Sequence, residues 1–436
     1  MKKSLFAVAA MTAFAGAAQA QSSVTVSGVI DEGYTSTTQT VGNAAQSAAL
    51  GNTQGASTKR VAGLKDSTWT SNRLIISGNE DMGGGMKTMF FIESGLALSS
   101  ASPEQGGLGG TGATANAPGP LGNVRQAFLG LGSKYGNLTA GWQYTPEYFQ
   151  RTTNVGGSAN TLGMAATSSN GGIAVASRGT FDSMNAFKYE SPKFMDATFT
   201  AMVGTSTLTQ KSNFSASTAA ATASSLNTPA AAGAQDITQT GLGQAYAVNW
   251  AKGNAQATVS YSKEVVANAT AYNYSLGGTS TSIGSIPTYG SSQQNFMASG
   301  SYDFGLVKLM GMAANRRITT NANTGTATTA ITNPVGSVRN IDIFSVGAFV
   351  PVTSTIKLGA NYAYAKDGFI GKDIKNQAFQ ASVQYAMSKR TTAYGFAARA
   401  VASSITPWSN TSNYNAISTS AVTSANQYSI GVAHTF

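Results

Sequence analysis

The sequence predicts an all-β fold, a sixteen-stranded antiparallel transmembrane β-barrel, and three observations predict it. First, the chain ends on an amphipathic strand. Tyr428, Ile430, Val432, His434 and Phe436 alternate with Ser429, Gly431, Ala433 and Thr435, the two-residue period of a strand between unlike surroundings. Second, no segment offers the ~20 consecutive apolar residues of a spanning helix, because Ser, Thr, Asn or Gly breaks every later run, so membrane passage falls to strands. Third, strand-length runs recur along the chain, and the segments joining them alternate between short and long.

Taken in order, the chain opens on Lys2 and Lys3, an apolar run from Leu5 to about Ala18, and the small-x-small pattern Ala18-Gln19-Ala20. Residues 1–20 therefore read as a secretory signal peptide, with the barrel over 21–436. The strand-like runs are 23–35, 72–78, 86–98, 124–131, 137–144, 184–189, 197–203, 245–250, 256–261, 296–302, 307–315, 341–349, 357–364, 377–385, 392–399 and 425–436. Seven connections are short and carry turn residues, such as Gly83-Gly84-Gly85, Lys252-Gly253-Asn254 and Asp303-Phe304-Gly305. Eight are long: 36–69, 99–121, 145–180, 204–240, 264–292, 317–338, 365–374 and 401–424. An even-numbered barrel requires this bookkeeping, with both termini and all short turns at one end. Aromatics near run ends (Tyr144, Tyr148, Phe149, Tyr189, Phe194, Trp250, Tyr302, Phe304, Tyr385 and Tyr394) are expected to form interfacial girdles.

Composition narrows the chemistry. Cysteine is absent and His434 is the single histidine, which excludes disulfides, thiolate sites, a His-paired nucleophile and a multi-His metal site; no cofactor is expected. Gly is abundant at 49 residues, as turn-rich alternating strands require. Charged residues make up 10% of the chain, and the formal charge of +10 falls to +8 once Lys2 and Lys3 leave. Without a Lys/Arg run, this excess does not read as nucleic-acid binding.

Several segments together carry a resemblance. They are 23–31 (SVTVSGVID), Arg73-Leu74 with 78–87 (GNEDMGGGMK), 91–95 (FIESG), 125–131 (RQAFLGL), 141–146 (GWQYTP), 185–192 (NAFKYESP) and 385–391 (YAMSKRT). In their order and spacing the chain resembles the general porins of Gram-negative bacteria, in particular the neisserial and β-proteobacterial branch. The resemblance implies an outer-membrane homotrimer of sixteen-stranded barrels, each with a water-filled lumen narrowed by an inward-folded third loop. It implies passive diffusion of small hydrophilic solutes and ions, contact with outer-membrane lipid and lipopolysaccharide, and delivery to the barrel-assembly machinery through Phe436.

The third long segment, 145–180, holds Gly pairs at 156–157 and 171–172 and the charges Glu147, Arg151 and Arg178. Family analogy sets basic wall residues against loop carboxylates, producing a transverse field. Arg73 fits that pattern, since Leu74 and Ile76 would face outward and Arg73 inward. Lys87 and Glu93 share a phase with Met89 and Phe91, and Arg125 and Lys188 complete the candidate constriction. One departure weakens the basic cluster: Trp142 stands where the family commonly has Arg, and alternation groups it with Leu138, Ala140 and Tyr144, leaving its side open. Anion selectivity is expected to be weak.

Three other readings compete. A substrate-specific channel would carry a ladder of lumen aromatics, and the inward-phase aromatics are scattered. An adhesin-type structural barrel would use its loops and plug its lumen. A barrel enzyme, such as a lipid hydrolase, needs a base beside a Ser, and His434 lies two residues from the terminus.

Overall fold

A computed structural model describes residues 23–41, 57–96, 98, 123–153, 183–205, 212–214, 235–237, 242–266, 291–319, 338–369, 372–406 and 422–436. The strands among them are β1 (Ser23–Val41), β2 (Ser57–Asp66), β3 (Arg73–Gly83), β4 (Met86–Gly95), β5 (Asn123–Ser133), β6 (Gly136–Tyr144), β7 (Ser183–Glu190), β8 (Ala197–Thr205), β9 (Ser212–Phe214), β10 (Gln235–Ile237), β11 (Leu242–Lys252), β12 (Ala255–Val266), β13 (Ser291–Asp303), β14 (Lys308–Thr319), β15 (Val338–Pro351), β16 (Ile356–Phe369), β17 (Lys372–Ala386), β18 (Thr391–Thr406) and β19 (Val422–Thr435). One helix, α1 (Pro146–Thr153), follows β6.

Every pairing in the main sheet is antiparallel, and the sheet closes where β1 meets β19, from Val29 opposite Thr435 to Val41 opposite Val422. β2 and β3 occupy one position between them, β2 pairing the outer half of β1 and β3 its inner half, so the seventeen strands of this sheet make a sixteen-position barrel. The sixteen runs read from the sequence are all present, most of them extended at one or both ends, while β4 stops at Gly95, short of the expected 98. Two long connections are shorter than expected, because β1 continues to Val41 with β2 beside it, and β16 and β17 stay paired up to Phe369 opposite Lys372. The signal peptide, Arg178 and most of the long connections lie outside the described residues.

The sequence alternation becomes an inside and an outside. On β19, Tyr428, Ile430 and Val432 are exposed to the surroundings, while Gln427 and Ser429 between them are buried. The same pattern sets Val259 against Ser260 and Phe344 and Val346 against Ser345. Outward side chains supply the apolar band, and inward ones a largely polar wall. From β13 to β18 the inward wall is less polar, with Met297, Met312, Ile341, Ile343 and Phe396 packed among alanines.

Aromatic girdles occur, with a smaller membership than the sequence suggested. Tyr189, Phe194, Trp250, Tyr302, Phe304 and Tyr385 are exposed at the short-turn end. Tyr144 and Tyr394 instead turn inward and are buried, and Tyr148 lies on α1 against Tyr144. Tyr394 shares the inward phase of Phe396 and Ala398 and donates to Asp31 Oδ1 (2.5 Å) across β19, while Tyr144 reaches Glu93.

Asp31 organises the closure from inside. Its other oxygen accepts the backbone N–H groups of Trp69 (2.5 Å) and Thr70 (2.6 Å), turning the 67–72 segment between β2 and β3 inward. Asn72 Oδ1 accepts the Asp31 N–H (2.5 Å), and the Trp69 ring lies 5.4 Å from Tyr394 and 5.9 Å from Phe396. One buried carboxylate thus ties β18, β1 and the β2–β3 break together, with its acceptor sites answered by polar hydrogens as burial demands.

At the opposite end of the seam the terminal residue is clipped in place. Gly28 and Phe436 exchange backbone hydrogen bonds of 3.1 Å in both directions. A Cβ at Gly28 would fall 2.4 Å from the Phe436 ring and 2.5 Å from the Arg73 carbonyl, so only glycine leaves the ring its seat. Replacing Gly28 by Val is expected to lower the yield of the compact, heat-modifiable form on gel electrophoresis severalfold. An unchanged yield would mean that Phe436 finds another position.

Candidate functional site

α1 forms where the chain leaves β6, and its local sequence explains the start. Thr145 precedes Pro146, which supplies a ready-made helical φ, and Glu147 adds negative charge in the first turn. The helix crosses inside the barrel and packs against β11, β12 and β13. Gln150 Oε1 accepts from Ser299 Oγ on β13 (3.3 Å), and Glu147 is buried beside Ser262 on β12 and the cation Arg316 on β14. The i, i+3 spacing of Glu147 and Gln150 puts both on the face meeting that wall.

The other face of α1 is pinned to the wall it came from. Arg125 Nη2 donates to Tyr148 Oη (3.1 Å), and the Tyr144 and Tyr148 rings stack 3.7 Å apart with Phe149 edge-on. Arg125 also donates through Nε to Glu93 Oε1 (2.9 Å), and Arg73 Nη1 reaches the same oxygen at 3.4 Å. Gln126 Nε2 donates to Glu93 Oε2 (3.0 Å), while its Oε1 accepts the Tyr144 N–H (3.1 Å). Two guanidinium groups therefore surround one buried carboxylate, leaving a local positive excess where α1 begins.

Arg125 reaches that cluster through a break in alternation. Its phase on β5 matches Leu129 and Leu131, which are exposed outward. The ladder slips here, with Glu93 opposite Gln126 but Ser94 opposite Val124, so Arg125 is the extra residue of a β-bulge. Bulges re-aim side chains in this way. Trp142 is the opposite case, since it pairs with Ala127 and Asn185, both on the outward face with Leu129 and Phe187. The indole therefore lies outside the lumen, and its presence removes nothing from the α1 cluster.

Among the sequence candidates, Arg73, Glu93 and Arg125 come together, and Glu147 sits across α1 from them. Lys188 lies on β7, its amine 3.8 Å from Glu190 and 5.8 Å from the Phe128 ring centre. Lys87 opposes Asp81 next to the short turn between β3 and β4. Arg151 belongs to the last turn of α1, with its side chain outside what is described, as is all of Arg178. Arg316 escaped the sequence reading because that strand was ended at Asn315; extending the Met310, Met312, Ala314 phase by two residues would have found it. Gln126, Tyr144 and Tyr148 carried no charge signal.

The profile of the Gram-negative porin family matches residues 7–404. An outer membrane porin protein of Bordetella pertussis is 29% identical over 198 residues, 44% of this chain and 46% of that protein. Outer membrane porin protein 32 of Delftia acidovorans is 40% identical over 93 residues, 21% of this chain and 22% of that one. These matches thus span less than half of either relative. Among solved structures, an anion-selective porin from Comamonas acidovorans aligns over 95% of this chain and 100% of its own, with TM-score 0.60 and 17% identity. The trimer form of OmpT from Vibrio cholerae aligns over 95% and 99%, with TM-score 0.58 and 14% identity.

Burial pushes the Glu147 carboxyl up to about 7 from its ordinary 4.5, against the opposing pull of the Ser262 and Thr145 hydroxyls and Arg316. A raised acid favours the docked helix while protonated, so that support is complete below about 4.5 and is lost as pH climbs through about 7. Current through the barrel is expected to grow noisier across that window as α1 loosens, and Glu147→Gln should flatten the dependence. Equal pH dependence in both proteins would show that another group titrates.

Proposed function

Because the chain belongs to the Gram-negative porins, we propose that it forms a water-filled outer-membrane channel for the passive diffusion of small hydrophilic solutes and ions. The observation that carries this reading is α1, held across the inside of a closed barrel by Tyr148–Arg125 at one side and Gln150–Ser299 at the other. A barrel of this size leaves an aqueous hole, and a strut across it sets a size limit without closing it. The constriction is assigned to Arg73, Glu93, Arg125 and Glu147, with Arg316 added on the far wall and Lys188 on β7; Lys87, beside the short turn between β3 and β4, stands outside it. Two guanidinium groups on Glu93 favour anions weakly, in keeping with the anion selectivity named for the Comamonas protein.

Permeation here needs no bond making, so the protein acts as a conduit and not as an enzyme. Residues 1–20 direct export and are removed, and residues 21–436 form the barrel, delivered to the assembly machinery through Phe436. The working unit is a homotrimer in a bilayer of phospholipid and lipopolysaccharide; a trimer form is known for the Vibrio neighbour.

Planar-bilayer recording of the purified protein tests this directly. Conductance is expected to appear in groups of three equal steps, and single independent steps would remove the trimer. In a salt gradient, Arg73→Ala should move the reversal potential toward cations by several millivolts; an unmoved potential would take Arg73 out of the constriction.

A further inference from the structure

Rings that stand far apart in the sequence share one sector of the lumen. On β4 and β5, Phe91 and Phe128 are direct ladder partners in the inward phase of Glu93 and Gln126, and their rings stack 5.3 Å apart at 14°. Both are half-buried, and their free side faces the lumen. Their row continues through Gly141 on β6 and Ala186 on β7, which are too small to screen the rings from the channel. Two residues nearer the short turn on β7, Lys188 brings its amine to 5.8 Å from the centre of the Phe128 ring. Two residues the other way, Glu93 and Gln126 hold the Arg73 and Arg125 cluster, and beyond it stands the Tyr144–Tyr148 stack. A flat solute moving along this side of the barrel thus meets rings, then guanidinium groups, then rings again.

The apolar inward residues from β13 to β18 are buried among one another, whereas Phe91 and Phe128 keep an open side. Water against that side favours a solute that covers it, and a planar ring can extend the existing stack from within the channel. Charge adds a second requirement. Arg73, Arg125 and Lys188 stand against two carboxylates, Glu93 and Glu190, so the sector favours an anion. An ammonium carries three donors, so Lys188 can keep Glu190 at 3.8 Å and also serve the carboxylate of a solute. Neither feature selects a solute alone, since an apolar face holds any hydrophobe and a cation any anion. Side by side, they suit a molecule with a ring at one end and a carboxylate at the other.

We propose that Phe91, Phe128 and Lys188 form a lumenal binding subsite for small arene carboxylates. The solute ring lies on the lumen side of Phe91 and Phe128 and its carboxylate on the Lys188 amine, while Arg73 and Arg125 draw the anion toward this wall. The subsite rests on reading the barrel as a diffusion channel, and it deepens that reading by naming a solute class that pauses on the way through.

The test records chloride current through the purified full mature chain in planar bilayers, with millimolar benzoate, acetate or benzylammonium added. Benzoate is expected to interrupt the current in brief closures whose frequency rises with its concentration. Acetate, which lacks the ring, and benzylammonium, which reverses the charge, should leave the record unbroken. The half-blocking concentration of benzoate should rise about tenfold in the F91L/F128L protein, because leucine keeps an apolar side chain and loses the flat face. It should rise severalfold in K188Q, with K188R restoring the parent value. Equal interruption by benzoate and acetate in the parent, block by benzylammonium, or a benzoate value unmoved in F91L/F128L would each overturn the subsite. A parent protein that carries no chloride current counts against the channel itself; benzoate bound by that protein in equilibrium dialysis, compared with F91L/F128L, then decides the subsite separately. Should F91L/F128L fail to fold, K188Q and K188R carry the test, and one half-blocking concentration shared with the parent overturns the assignment.

Discussion

Hydrocarbon offers no hydrogen-bond partner, so every backbone N–H and C=O within the membrane must find another strand. That requirement governs this molecule, and the β1–β19 pairing is where it is met last, by residues from opposite ends of the chain. The longest described strand, β1, serves three neighbours: β19 on one side, and β3 then β2 on the other. Where β2 gives way to β3, Asp31 takes up N–H groups of the inturned segment that the ladder cannot. The seam is therefore closed twice, by main chain along the wall and by a side-chain network within.

The interior follows from the same closure. A sealed wall of alternating residues commits one half of its side chains to the lumen, and these include charges that lipid would not accept. Glu93 tolerates burial because Arg73, Arg125, Gln126 and Tyr144 all donate to it. The same Arg125 fastens Tyr148, so the charge cluster and the base of the strut are one assembly. Opposite it, Glu147 and Gln150 reach β12 and β13, which makes α1 a brace and not a free flap. The electrostatics of the narrowing and its mechanical support are thus inseparable.

Much of the fold was legible because period-two alternation is a one-dimensional signal. Each of the runs from 23–35 to 425–436 appears as a strand, and the short turns carry Gly or Pro except the one between β17 and β18, which uses Ser388. Strand ends were less visible: β2, and the pairing of β16 with β17 up to Lys372, lie in polar stretches where alternation carries no hydrophobic contrast. Departures from alternation were invisible for the same reason. Arg125 reaches Glu93 only through a ladder slip that nothing local announces, whereas Tyr394 keeps the inward phase of Phe396 and Ala398, and its bond to Asp31, distant in sequence, was the part that could not be read. Trp142 shows the converse, since its plain alternation with Leu138 and Ala140 was right and the analogy with an arginine misleading.

The bond from Tyr394 to Asp31 spans 363 positions of the chain. Until the final hairpin exists, β1 has no neighbour on its β19 side, and that bare border must survive the whole of synthesis and export without joining a stranger. Holding such ends apart costs loop entropy that grows slowly with length, so the delay, more than the distance, is the hazard. A newly made chain of this kind is thus an open cuff until its hem is sewn.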